Sequence, residues 1–193
     1  MRKIKLYSIV SIDGYASPPD GSVDWITEAK IPHNMEYGIQ SFYKGIETVV
    51  MTLSHYLNLV SCELLGPHTE KSCIIIRPRA DLEVSSRHKV EYITDFQEDF
   101  PQTIKHITEQ KDAGEGDMWI AGDNRLIRAM LEAGIVDEVI ITMIPVSLGR
   151  GIKPFPADFN ERKWKSVRIA ENEHGVTQIH YRSMETTDKN IMN

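Results

Sequence analysis

The sequence is short of most features that would mark an unusual protein. It has only two cysteines, Cys62 and Cys73, and they are not in a CxxC pair. A disulfide scaffold needs a denser framework, and a structural zinc site needs four ligands in paired spacing. Both cysteines therefore read as ordinary thiols of a cytosolic protein. The seven histidines are scattered, with no HExxH spacing, so the pattern offers no metal enzyme. Lys and Arg total 22 against 28 Asp and Glu, for a net charge of -6, and no Lys/Arg block is present. Nonspecific nucleic-acid binding depends on neutralising phosphates, which this balance argues against. No apolar run approaches the roughly 18 residues that span a bilayer, so no membrane anchor is expected. Met1-Arg2-Lys3 is followed too soon by Lys5 and Asp13 to leave a signal-peptide apolar core of ~7–15 residues, which predicts a cytoplasmic location.

What remains is a chain of 193 residues, 41% hydrophobic and 26% charged, the usual mix of a soluble globular domain. It carries no internal repeat and no low-complexity linker. Ile4 to Ile12 is short, rich in β-branched residues and halted by Asp13-Gly14, so it reads as a strand. Met35, Ile39 and Phe42 predict an amphipathic helix from Asn34 to Lys44. Thr48–Thr52, Ser72–Ile76 and Val90–Thr94 read as strands. Pro101–Gln110 reads as a helix, with proline allowed in its first turn. Asp117–Ala121 is a short strand. Either Asp123 or Asn124 caps the following helix, and Gly134 stops it. Val136–Pro145 is a long apolar strand, and Trp164–Ile169 with Val176–Arg182 predict an antiparallel hairpin. Strands alternating with helices before a closing hairpin indicate an α/β fold with a mostly parallel sheet and an antiparallel edge. Residues 1–185 are expected to form a single domain, and 186–193 a polar tail. On such sheets ligands sit beyond the carboxyl ends of strands, here the loops Ser11–Asp24, Arg77–Asp81 and Ala121–Arg125.

The stretch Ala121-Gly122-Asp123-Asn124-Arg125-Leu126-Ile127 ends a strand in small residues and opens a helix at once. Helix-start amides favour an anion, which makes this a candidate pyrophosphate site; the alternative is a tight turn with an ordinary cap. Asp13 lies just past a strand end, where it could meet a substrate or bond its own turn. Trp25 either covers a ring or plugs the core edge. Arg150, bracketed by Gly149 and Gly151, either reaches a phosphate or faces solvent on a turn anchored by Phe155.

In order and spacing these stretches resemble the dihydrofolate reductase-like proteins, in particular those similar to the C-terminal reductase domain of the bifunctional riboflavin-biosynthesis deaminase/reductase. The resemblance rests on Ser11-Ile12-Asp13-Gly14-Tyr15-Ala16 with Asp20-Gly21 and Asp24-Trp25. It continues through Ala121-Gly122-Asp123-Asn124, Leu131-Glu132-Ala133-Gly134 and Val136-Asp137-Glu138, then Pro145-Val146, Leu148-Gly149-x-Gly151 and Phe155. It covers about Lys3 to Ser183. It implies a three-layer dihydrofolate reductase-like domain acting as an NADPH-dependent oxidoreductase on a small heterocyclic substrate, with NADH not excluded. A pterin or a 5-amino-6-(5-phosphoribosylamino)uracil-type pyrimidine is in view, and a homodimer is the expected assembly. The cofactor pyrophosphate would lie on Ala121, Gly122, Asp123, Asn124, Arg125 and Leu126, a turn that family members often hold with a cis peptide, here Ala121–Gly122.

Two departures mark this chain. Where the family's second strand runs into Gly-Arg-x-Thr-Tyr, this one has Thr52-Leu53-Ser54-His55-Tyr56, placing Thr52 and Leu53 at cofactor-binding positions without the arginine. A charge-assisted donor to phosphate contributes ~1.5–3 kcal/mol. Arg77 or Arg79, after the third strand, is the candidate replacement; otherwise the site is degraded and the protein is a non-catalytic ligand-binding relative. For the catalytic proton, the resemblance points to Glu36 on the first helix, with Asp13 as the competing substrate contact.

Overall fold

The structure is a computed structural model that describes residues 2–29, 38–61, 68, 70–84, 89–97, 99–111, 113–157, 159–172 and 174–184. In chain order the elements are β1 (Ile4–Ser11), α1 (Asp24–Glu28), α2 (Ile39–Gly45), β2 (Ile46–Thr52), α3 (Leu53–Ser61), β3 (Ser72–Arg77), β4 (Val90–Thr94), α4 (Pro101–Gln110), β5 (Asp117–Ile120), α5 (Asn124–Glu132), β6 (Glu138–Ile144), β7 (Trp164–Glu171) and β8 (Thr177–Ser183). The strands are hydrogen-bonded in the order β4-β3-β2-β5-β1-β6-β8-β7. Two compact units divide the chain: residues 1–5 with 45–136, and residues 6–44 with 137–193. Strand β1 starts in the first and ends in the second.

The first unit is parallel. Strand β2 pairs with β3 on one side (Val49↔Cys73, Val50↔Ile74) and β5 on the other (Val50↔Ile120), and β3 pairs with β4. A strand covered on both faces needs an unbroken apolar run rather than alternation. Accordingly Val49, Val50 and Met51 are each 0% exposed, and each contributes ~1.5–3 kcal/mol by burial.

Helix α5 follows from its ends. Asp123 is its cap, with its carboxylate accepting from the Arg125 and Leu126 amides. At the other end Gly134, at φ 68, donates to the Leu131 carbonyl, and Ile135 donates to that of Met130. This is the paired closure that a left-handed glycine permits.

Helix α4 matches its expected span but starts differently. Its cap position is Phe100 at φ 49, ψ 50, with no cap of its own. The missing acceptor comes from upstream: the Asp95 carboxylate takes both the amide and the hydroxyl of Thr103.

The second unit is antiparallel in its β6–β8–β7 strands, with Ile140↔His180 and Ile169↔Ile179 in register. Trp25 plugs the core here, 6% exposed against Ile144 and Val176. Its indole N–H is left without an acceptor.

The mixed sheet, parallel with an antiparallel terminal hairpin, is the expected one. Several boundaries differ from the sequence reading. Strand β6 begins at Glu138 rather than Val136, and β1 ends at Ser11 because the Ile12 amide turns away to the Val146 carbonyl. Helix α3 was not anticipated, since β2 passes into it without an intervening turn residue. The expected cis bond at Ala121–Gly122 is absent: among the described residues every peptide is trans, and Gly122 makes the turn through φ 147 instead. Glu36, the N-terminal part of the expected helix from Asn34, Cys62 and the tail lie outside the described residues.

Candidate functional site

The first unit contains a cleft of about 330 Å³ at the carboxyl ends of its parallel strands. Thr52, Leu53, Ser54 and Leu57 reach it from the junction of β2 and α3. Ile76 and Pro78 come from the end of β3, and Arg125 from the first turn of α5. The far wall is the segment between β4 and α4, contributing Asp95, Phe96 and Phe100. Phe96 is 78% exposed, an unusual position for a large aromatic ring. Phe100 holds left-handed backbone without being glycine, the kind of local strain that collects at binding sites.

The cleft's floor is a small polar knot. The Thr52 hydroxyl donates to Asp123 Oδ2 at 2.9 Å, which ties the β2–α3 turn to the β5–α5 turn. With its proton so directed, Thr52 accepts from the Ser54 hydroxyl at 3.0 Å and from the His55 amide at 3.3 Å, capping α3. Burial lowers the His55 pKa below its usual value, against the pull of the Asp123 carboxylate, so the ring is neutral at physiological pH. A Cβ on Gly122 would stand 3.7 Å from His55 Cβ.

These contacts change the meaning of several expected residues. The Arg125 and Leu126 amides, expected to meet an anion, already meet the Asp123 carboxylate. The turn is thus capped by its own carboxylate. Leu126 is 0% exposed and its side chain belongs to the core, while Ala121 is buried with its amide on the Val50 carbonyl. Asn124 is exposed at the start of α5.

Arg77 is immobilised. Its guanidinium lies 4.4 Å above the Tyr92 ring, and Nη1 donates to the Leu82 carbonyl and Glu83 carboxylate. Arg79 is paired with Asp81 through two 3.1 Å bonds on an exposed turn, and neither arginine lines the cleft. Thr52, Leu53 and Arg125 are the expected residues that the cleft brings together. Phe96, Phe100 and Asp95 were missed; an apolar, aromatic loop directly after a strand was the available signal.

Asp13 belongs to the second unit and is a clamp. Its carboxylate accepts from the Ser11 hydroxyl at 2.6 Å, the Leu148 amide at 3.1 Å and the Gly149 amide at 2.6 Å. These bonds, Ser11 foremost, hold its pKa at about 2 against an ordinary 3.8 despite some desolvation. The same two loops are joined by Ala16 to the Ile152 carbonyl and Ile152 to the Ser17 carbonyl. Gly151 is required there, because a Cβ would collide with the Ser17 carbonyl oxygen. Lys153 covers the Tyr15 ring at 3.9 Å, and Arg150 is exposed.

Residues 49–180 match the model of the RibD C-terminal domain, more than half of the chain. The chain belongs to the RibD C-terminal domain family. Among its relatives is the uncharacterized protein YwjB of Bacillus subtilis, 30% identical over 93% of this chain and 97% of that protein. A Shewanella sp. PV-4 protein with a riboflavin-biosynthesis name has the same fold, with a TM-score of 0.75 at 18% identity over 94% of this chain and 98% of that one. The dihydrofolate reductase of Enterococcus faecalis, solved with NADP(H), superposes with a TM-score of 0.56 at 15% identity, covering 94% and 96% of the two chains. Membership in the RibD C-terminal family accounts for the reductase-like fold. Among the described residues no helix is long and apolar enough to cross a membrane, and no group of three or more metal-ligating side chains occurs.

Proposed function

We propose that this protein is a nicotinamide-nucleotide-dependent reductase of a small heterocyclic compound, a pterin or a pyrimidine related to riboflavin precursors. The observation that carries the reading is the cleft at the ends of β2, β3 and β4. It has apolar and aromatic walls, one exposed guanidinium at its edge, and the size of a nucleoside-binding pocket. Its position beyond the carboxyl ends of parallel strands is where α/β folds bind nucleotides.

The residues fit one end of such a cofactor. Leu53, Leu57, Phe96 and Phe100 offer surfaces to a purine, and Arg125 offers charge to a phosphate. The nicotinamide, when bound, would supply hydride. This chain's residues would bind and orient it; the ionised Asp13 clamp has no proton to give near neutral pH, which leaves Glu36 as the candidate acid.

The test is thermal shift with NADH and NADPH, followed by substrate-dependent oxidation of whichever binds. Both nucleotides at millimolar concentration should be tried, and at least one should raise the Tm. Arg125→Ala should leave the unliganded Tm unchanged and weaken the shift. Absence of any shift with either nucleotide would sink the reading. A second reading, a ligand-binding relative without hydride transfer, is favoured by the Asp123 carboxylate occupying the α5 amides. Binding without oxidation in the presence of pterins and ribosylated aminopyrimidines would decide for it.

A further inference from the structure

The geometry points to a cleft that selects nucleotides with a free ribose 2′-hydroxyl, NADH over NADPH, through the carboxylate of Asp95. This rests on the nicotinamide-nucleotide reading and specifies it. The charges around the cleft set this preference. A 2′-phosphate brings close to two negative charges and three acceptor oxygens, and it is held where arginines converge. Arg77 ends β3 and Arg79 follows it, and neither lines the cleft. Arg77 is fixed beneath Leu82 and against Glu83, with its side chain 12% exposed. Arg79 points Nε and Nη2 at Asp81 on an exposed turn. Among the described residues the cleft is lined by one guanidinium, Arg125, and one carboxylate, Asp95.

Asp95 is 4% exposed yet lines the cleft. Its Oδ2 is taken by the Thr103 amide at 2.9 Å and hydroxyl at 3.1 Å, which fixes the carboxylate in place. Among the described residues its Oδ1 accepts only a long contact from the Gln97 amide, 3.4 Å. That oxygen therefore keeps capacity for a further donor. A ribose hydroxyl supplies one, whereas a 2′-phosphate would set like charge against a buried carboxylate that has no counter-ion among the described residues. An acidic side chain reading the ribose diol is a recurrent physical solution for nucleotides lacking that phosphate. The chain's net charge of -6 works in the same direction, because the more anionic nucleotide approaches against the larger opposing field.

The experiment is titration of the full chain with NADH and NADPH by nicotinamide fluorescence, alongside ADP and 2′,5′-ADP by calorimetry. Expected is a preference of about tenfold or more for NADH and for ADP, the difference made by one charge-assisted contact. Tighter binding of NADPH or 2′,5′-ADP overturns the selection while leaving the nucleotide reading intact. Failure of all four to bind overturns both. Asp95→Asn, which keeps an acceptor for Thr103, should bring the NADH-to-NADPH ratio toward one. An unchanged ratio in a folded variant would remove Asp95 from the role, and the wild-type titrations stand whether or not the variant folds.

Discussion

The Asp13 clamp and the Thr52 cleft are built from the same vocabulary of short loops, glycines, a carboxylate and a hydroxyl, and they end in opposite conditions. In the clamp the carboxylate of Asp13 and the ring of Tyr15 are consumed by the protein itself. Asp13 is filled by Ser11, Leu148 and Gly149, and Tyr15 is covered by Lys153. In the cleft a polar knot of Thr52 and Asp123 closes the floor, but the walls remain open and one aromatic ring stands almost bare. Residue type and loop position therefore do not mark a site. What marks it is whether hydrogen-bonding capacity and apolar surface are left over after the fold has used what it needs.

The clamp should therefore answer to mutation as structure does. The largest effect is expected at Gly151, where a side chain meets the backbone oxygen of Ser17 with no flexible group to give way. Gly151→Val should cost about 3 kcal/mol by steric overlap, read as a lowered urea midpoint. A variant as stable as the wild type would mean that the two loops separate easily, and the contrast with the cleft would weaken.

A smaller effect, with a distinctive pH signature, is expected from Asp13→Asn. The fold holds the Asp13 carboxyl at about 2 against an ordinary 3.8, so the folded state binds that proton less readily than the unfolded chain. Its contribution to stability is full above the unfolded value and drains away as pH falls through about 2. The Tm gap between wild type and Asp13→Asn should be widest near neutrality and close at the acid end. A gap that did not narrow would show that the charge is not what holds the loops.

These two regions were unequally legible in the sequence. The sheet could be read because β-branched runs such as Ile74-Ile75-Ile76 and Val49-Val50 carry their burial in their composition. Helix α5 could be read because Asp123 and Gly134 are opposite end signals of known geometry. Helix α3 could not, since Thr52 is at once the last residue of a strand and the cap of the helix, leaving no turn to announce the change. The clamp was half legible: Asp13-Gly14 announces a turn, but its partners Leu148 and Gly149 lie more than a hundred residues away. The wall from Asp95 to Phe100 was the least legible. Its strain is a backbone angle, and its capping carboxylate acts across eight positions, and neither leaves a local pattern.

The smallest effect on stability and the sharpest on binding should come from Phe96. At 78% exposure its ring contributes little to the fold, so Phe96→Ala should change unfolding free energy by less than about 0.5 kcal/mol. If the ring is a stacking surface for a base, its removal should still weaken nucleotide binding by about tenfold, since such stacking is worth ~1–3 kcal/mol. The two readouts separate a site from a scaffold within one residue. Loss of stability would place Phe96 with the clamp, as a structural group that only looks available. Unchanged binding would leave the ring's exposure without a ligand to explain it. Unchanged stability with weakened binding is the result that makes the cleft, rather than the motif around Asp13, the working part of the molecule.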